Sequence, residues 1–317
     1  MQKLLSAALL FFGVLSNSLA QYPAKPIRLV VGFPPGGSAD PTARALAAPL
    51  QEQLGQPVVV ENRAGGDSAI GADYVSKAAP DGYTLFYGSS SAMVAAVALR
   101  KVPPYDPLKD FTAVGMVGRA MQIFYVYPGV PAQTLKEFVA HARANPGKLN
   151  YASGNPLAIF YYAQFMAATG TKLAHIPYKG EGPLTTDLVA GRVETSILSN
   201  PAGVSLAKEG RLRVLAVIAG SRVPVLPDVP TIAEAGVPEV TPLHWAGIFG
   251  PAGMPRAVVE RLNKEINIAL KTPQLLAQFE RYAYTAEGST PERLAELNRD
   301  DLALWRRLIK ETNMAID

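Results

Sequence analysis

The chain has 317 residues, 49% of them hydrophobic and 18% charged, and no cysteine. That balance excludes a disordered chain, and the lack of thiols excludes a disulfide framework, a cysteine nucleophile and a thiolate zinc site. Thirty basic and 26 acidic residues leave a formal charge of +4 with no clustered basic stripe, which argues against nucleic acid as a partner.

In chain order, Lys3 precedes an uncharged apolar run, Leu4–Leu15, and Ser18-Leu19-Ala20 follows with small residues at the −3 and −1 positions. This pattern predicts a secretory signal peptide over residues 1–20, cleaved after Ala20, with an apolar part too short to span a membrane. Ile27–Val31 reads as a buried strand, Gly32–Asp40 as a Gly-rich loop, Pro41–Leu54 as a helix ended by Gly55, and Pro57–Glu61 as a second strand. A polar loop, Asn62–Ser68, leads to a helix over Ile70–Ala79, and Tyr83–Tyr87 is a third strand running into Gly88–Ser91. After the Pro-rich stretch Val102–Asp110 come strands at Phe111–Val117 and Ile123–Tyr127 and a helix at Pro131–Asn145.

The pattern then restarts. Strand Leu149–Ala152, loop Ser153–Pro156 and helix Leu157–Thr169 are followed by strand Thr171–Ile176, helix Gly182–Ala190, strand Glu194–Leu198, helix Gly203–Glu209 and strand Leu212–Ala219. Val223–Val240 is broken by prolines, with one short helix near Ile232–Ala235. His244–Phe249 reads as a strand crossing back, and Arg256–Leu270, Gln274–Ala283 and Glu292–Lys310 as amphipathic helices. Strands alternating with helices predict an α/β fold with two domains, each a mostly parallel sheet flanked by helices. Residues 21–122 with 245–317 would form a discontinuous first domain and 123–244 the second, with a ligand cleft between them.

Candidate chemistry sits at the strand ends. In Gly32–Asp40, Gly36 and Gly37 can take positive φ and leave N–H groups unobstructed, Ser38 adds a hydroxyl, and Ser38 or Asp40 is placed to cap the helix. A strand, a Gly-rich turn and a helix start form an anion site; an ordinary tight turn is the alternative. The loop lacks the P-loop lysine and the GxGxxG spacing, so a carboxylate held by neutral donors fits better than a triphosphate. Ser153-Gly154-Asn155-Pro156 occupies the equivalent point of the second half, and Ser89, Ser90 and Ser91 form a third strand-end loop. Tyr178 lies near the cleft as pocket lining or as core. A serine hydrolase would require Ser89–Ser91 or Ser153 to meet His175 or His244, and GSSSA is not a G-x-S-x-G elbow. No metal or cofactor is expected.

Several ordered segments carry a resemblance: YPAKPIRLVVGFPPGGSAD (Tyr22–Asp40), VVVENRAGG (Val58–Gly66), IGADYVSKAAPDGYTL (Ile70–Leu85), YDPLKDF (Tyr105–Phe111), HIPYKG (His175–Gly180), DLVAGRVE (Asp187–Glu194), GRLRVLAV (Gly210–Val217) and LPDVPTIAEAG (Leu226–Gly236). On these motifs Gln21–Asp317 resembles the Bug family of periplasmic solute-binding proteins, related to tripartite tricarboxylate transporters. The resemblance implies a Venus-flytrap fold, a periplasmic location, and capture of small carboxylates between the loops matching Phe33–Asp40 and Ser153–Ile159. It implies a membrane permease or a sensor protein as partner, for a chain expected to act as a monomer.

Two departures stand out. The second loop reads SGNPLAIFYY, with Leu157, Ile159 and Phe160 where relatives carry polar residues, and Leu198 replaces an Asp that would hold an ammonium group. Both point to a more apolar pocket, hence a carboxylate with an apolar or aromatic body; an aliphatic di- or tricarboxylate or an acidic amino acid is the alternative. The expected ligand-binding residues are Phe33, Pro34, Gly36, Gly37, Ser38, Asp40, Ser89, Ser90, Ser91, Ser153, Gly154, Asn155, Ile159, Tyr178, Ser199 and Asn200.

Overall fold

The computed structural model describes residues 22–199, 201–223, 225–240, 244–282 and 284–312. The signal peptide expected over residues 1–20, and Asn200, lie outside the described residues.

Strand β1 (Ile27–Val31) is almost wholly buried and pairs in parallel with β2 (Val58–Asn62) on one side and β3 (Thr84–Ser89) on the other. Helix α1 (Ala39–Leu54) carries the chain from β1 to β2, and α2 (Ala69–Ser76) from β2 to β3. α1 stops at Gly55, which takes the left-handed conformation and returns its N–H to the Gln51 carbonyl.

The remaining strands of this sheet run the other way. β4 (Phe111–Ala120) and β10 (Trp245–Pro251) pair antiparallel, β10 also pairs antiparallel with β3, and β11 (Tyr284–Ala286) closes the edge, giving the order β11-β4-β10-β3-β1-β2. The second sheet has the order β7-β6-β8-β5-β9. In it, β6 (Asn150–Ser153) pairs in parallel with β7 (Ala174–Pro177) and β8 (Thr195–Leu198), while β5 (Gln122–Val126) is antiparallel to β8 and to β9 (Arg213–Ile218).

The two-domain α/β architecture is as expected, but each sheet is mixed rather than mostly parallel. Helical crossovers generate parallel pairs only within a βαβ run. At each passage between sheets a strand arrives without a crossover, and its direction is set by where the chain enters. The chain makes one such passage at Met121, between β4 and β5, and another ahead of Trp245.

Three apolar clusters hold these layers. Helix α1, α7 (Arg256–Ala269) and α8 (Pro273–Arg281) cover one face of the first sheet, where Leu46, Leu50, Leu262, Ile266 and Phe279 pack on Leu29, Val117 and Ile248. The opposite face shares one continuous cluster with the second sheet, from Val30, Phe86 and Trp245 through to Phe124, Phe138 and Phe165. Within it, Phe160 of α4 (Pro156–Thr169) stacks on Trp305 of α9 (Pro291–Thr312) with ring centroids 3.7 Å apart. A third cluster, with Ile123, Leu184, Leu188 and Leu198, lies beyond the second sheet under α5 (Glu181–Val189).

Some elements differ from expectation. β11 is too short to show a period. The buried segment after β3 forms a π-turn over Ser91–Ala95 that continues as α-helix at Ala96–Ala98; it has no polar face to betray a helical repeat. β7 starts at Ala174 and is exposed along its length, as befits an edge strand.

Candidate functional site

The Gly-rich loop leaves β1, takes positive φ at Gly36 (88°), and enters α1 at Ala39. Ser38 stands at the N-cap, yet its side chain makes no capping bond. Its Oγ instead lies 2.6 Å from Ser199 Oγ, at the end of β8 in the other sheet. Asp40 does not cap either: it pairs with Arg44 one turn on, at 3.0 Å. The capping role expected of Ser38 or Asp40 is therefore absent, because each side chain has a better partner. The first-turn N–H groups of α1 have no intrahelical acceptor, so the positive end of the helix faces the cleft as an anion donor set.

Opposite lies the start of α4. Asn155 is a true N-cap, its Oδ1 accepting from the Ala158 N–H at 3.0 Å, and Pro156 fills the first helical turn. Gly154 is required by close approach: a Cβ there would stand 2.7 Å from the Glu181 backbone nitrogen and from the Gly180 carbonyl carbon. The start of α5 is thus pressed against this loop, which brings the Glu181 side chain into the site.

Glu181 is 5% exposed. Its Oε1 accepts from the Ser199 N–H at 3.2 Å, the Ser199 hydroxyl at 3.1 Å and the Asn155 amide at 3.1 Å, while Oε2 has only a 3.4 Å contact with the Ser199 hydroxyl. Burial pushes the carboxyl up from 4.5 to about 7, against the pull of the hydrogen bonds from Ser199 and Asn155. Sequence reasoning missed this residue. An acidic side chain in the first turn of a helix has a sufficient explanation in the helix dipole, so its position carried no separate signal.

These loops line a pocket that opens to solvent at one mouth. Phe33, Pro34, Gly37, Ser38, Ser89 and Ser91 line it from the first sheet, and Gly154, Asn155, Glu181 and Ser199 from the second. Ala39, Thr42, Tyr87, Gly180, His244, Ala246 and Tyr284 complete the wall. Among the described residues, no lysine or arginine lines it. Ser91 Oγ is buried without a hydrogen-bond partner. His244 Nδ1 lies 2.6 Å from the Gln122 amide nitrogen, and burial lowers its imidazole to about 4, so it is neutral at ordinary pH. Burial also raises the Tyr87 hydroxyl to about 12.

Of the residues singled out in the sequence, Gly36, Asp40, Ser90, Ser153, Ile159 and Tyr178 do not line this pocket. Ser90 is fully buried, with its Oγ 3.4 Å from the Trp245 N–H. Tyr178 lines a second pocket behind Phe33 and Pro34, beside Lys179, and its hydroxyl donates to Asp187 at 2.8 Å. Leu157, Phe160 and Leu198 are core residues, at most 1% exposed. The apolar substitutions read from the second loop and from β8 therefore pack inward and do not make the pocket apolar. The apolar wall comes from Phe33, Pro34, Ala39, Tyr87, Ala246 and Tyr284.

A serine–histidine pair is present: Ser153 Oγ lies 2.6 Å from His175 Nε2. Ser153 is 3% exposed and lines neither pocket, whereas His175 is exposed on the edge strand and stacks on Tyr151 at 4.9 Å. Among the described residues, no carboxylate is hydrogen-bonded to His175 to orient it. A buried hydroxyl facing away from the cleft has no route to a substrate, so the contact reads as a structural hydrogen bond.

Comparison with known proteins matches residues 42–314 to the model of the tripartite tricarboxylate transporter family receptor. Protein BugT of Bordetella pertussis is 38% identical over 295 residues, covering 92% of this chain and 90% of BugT. An R. palustris protein solved with adipate superposes with a TM-score of 0.88 at 31% identity, covering 92% of this chain and 98% of that one. MatC from Rhodopseudomonas palustris, with bound malate, superposes with a TM-score of 0.85 at 29% identity, covering 91% and 100%.

Proposed function

Because the chain belongs to the tripartite tricarboxylate transporter receptor family, whose members are periplasmic solute-binding receptors, we propose that it captures a small carboxylate with an apolar or aromatic body. The observation that carries this reading is the pocket itself. Its anion donors are neutral, the start of α1 with Gly37, Ser38, Ser89 at the end of β3 and Ser91 just beyond it, and the rest of its first-sheet wall is mostly apolar and aromatic, with Thr42 and His244 among it. Dipolar donors in a dry site hold one carboxylate well, and the apolar wall gains about 25 cal/mol per Å² of ligand surface covered.

Gly37, Ser38, Ser89 and Ser91 would hold the ligand from one domain, and Gly154, Asn155 and Ser199 from the other. The domains would be residues 21–122 with 245–317, and 123–244. A ligand touching both favours the closed arrangement by its differential affinity. Cleavage after Ala20 would release the receptor, which would deliver its cargo to a membrane permease without chemical change. The adipate and malate of the two structural relatives support the carboxylate class.

The test is thermal unfolding of protein stripped of ligand by denaturation and refolding, against adipate, malate, citrate, benzoate, phthalate, nicotinate, glutamate and aspartate. A ligand at 100 times its Kd stabilises by about 2.7 kcal/mol. Shifts with benzoate, phthalate or adipate and none with the amino acids are expected. A shift with glutamate or aspartate alone would refute the apolar-body assignment.

A further inference from the structure

We propose that Glu181 makes capture proton-linked: it enters the bound state as a neutral acid, and its Oε2–H donates to an oxygen of the ligand carboxylate. This rests on the carboxylate reading above and deepens it.

The carboxyl lies in the pocket wall with its two oxygens in different states. Oε1 is occupied by three donors, from Ser199 and Asn155. An oxygen that accepts three donors keeps its lone pairs engaged, so the proton belongs on Oε2, whose protein contact is a 3.4 Å approach of the Ser199 hydroxyl. A ligand carboxylate beside an ionised Glu181 would place two negative charges in a pocket lined by no lysine or arginine among the described residues. Like charges in a buried site drive one partner to take a proton. The neutral acid turns that repulsion into a charge-assisted O–H···O⁻ hydrogen bond. No covalent bond changes, and above neutrality the proton comes from solvent, one per ligand bound.

The surrounding groups leave this role to Glu181. From β5, Tyr125 lies beneath it with a hydroxyl held far above the usual range by burial. Across the pocket Tyr87 and Tyr284 are raised by burial and His244 is lowered to about 4, so all three are neutral between pH 5 and 9. Asp40 on α1 is paired with Arg44. On the preceding loop, Tyr178 bonds Asp187 of the same helix, which also pairs with Arg192, and Lys179 is exposed. His175 on β7, bonded to Ser153, is lowered by burial and stands outside the pocket. Glu181, raised by burial to about 7, can take its proton near neutrality.

Calorimetric titration with benzoate and adipate from pH 6 to 8.5, in buffers of different ionisation heat, tests the proposal. Wild-type affinity should fall about 30-fold between pH 6 and pH 8.5, with proton uptake approaching one per ligand at the alkaline end. E181Q keeps a donor in place of the acid, and its affinity should not change with pH. Wild-type binding without proton uptake, or a pH dependence that survives in E181Q, overturns the proposal and leaves the carboxylate reading standing. Affinity that rises with pH overturns it too, because an ionised Glu181 would then be meeting a cation. Failure of every carboxylate of the panel to bind at any pH refutes the carboxylate reading and the inference with it. If E181Q does not fold, wild-type proton uptake decides.

Discussion

Glu181 also makes a prediction for the free protein. In the unfolded chain its carboxyl returns to about 4.5, whereas burial holds it at about 7 in the fold. Between those values the native state binds more protons than the unfolded state. Stability must therefore fall as pH rises from 4.5 to 7, and the loss must level off above 7. Two and a half units at 1.36 kcal/mol each correspond to about 3 kcal/mol. E181Q removes the titration while keeping an oxygen for Ser199 and Asn155. Relative to wild type, E181Q should thus gain about 3 kcal/mol on going from pH 4.5 to pH 8. Urea unfolding of both proteins at pH 4.5, 6, 7 and 8, without ligand, measures it. The difference between the proteins cancels the titration of every group distant from position 181. A wild-type-to-variant difference that stays constant from pH 4.5 to 8 would refute the reasoning, since a carboxyl with an ordinary pKa gives that result.

Gly154→Ala should push the start of α5 away, because the added methyl meets the Glu181 backbone nitrogen at 2.7 Å. The expected outcome is at least a tenfold loss of affinity for the panel acids by calorimetry, with a lowered Tm. Phe160→Ala removes the ring stacked on Trp305 within the cluster shared by both sheets. It should cost about 3–5 kcal/mol in chemical unfolding, with reduced burial of Trp305 visible as a red shift in tryptophan emission.

What the sequence disclosed follows the range of the forces involved. β1, the Gly-rich turn and α1 were legible because a buried apolar run, a positive-φ glycine and a 3.6-residue period are local signals. The Asn155 cap went unread, although Asn-Pro ahead of an apolar helix is also a local signal. Strand direction is not local, so the antiparallel arrival of β5 and β10 escaped the reading. Leu157, Phe160 and Leu198 looked like pocket walls because an apolar residue near a strand end can face either cleft or core. For Phe160 the stacking on Trp305, 145 positions away, decides it, and for Leu198 the cluster beyond the second sheet. Tyr87, His244 and Tyr284 reach the pocket from three distant segments, and nothing in their local sequence announces it.

The absent cap at α1 joins the fold to the function. A serine at the N-cap would ordinarily bond back to its own helix and contribute about 1 kcal/mol. Ser38 gives that up and turns its hydroxyl to Ser199 across the cleft. Ser199 in turn donates through both its N–H and its hydroxyl to Glu181. One chain of hydrogen bonds therefore runs from the helix that would receive the anion, across the cleft, to the carboxyl that would sense it. Opening the cleft would break the Ser38–Ser199 link and expose the helix start. Closing it over a carboxylate would supply the first-turn N–H groups with the acceptor that Ser38 withholds. Local stability is given up at a helix end that faces the pocket, where an unsatisfied donor set is useful, and a bound carboxylate would complete the cap.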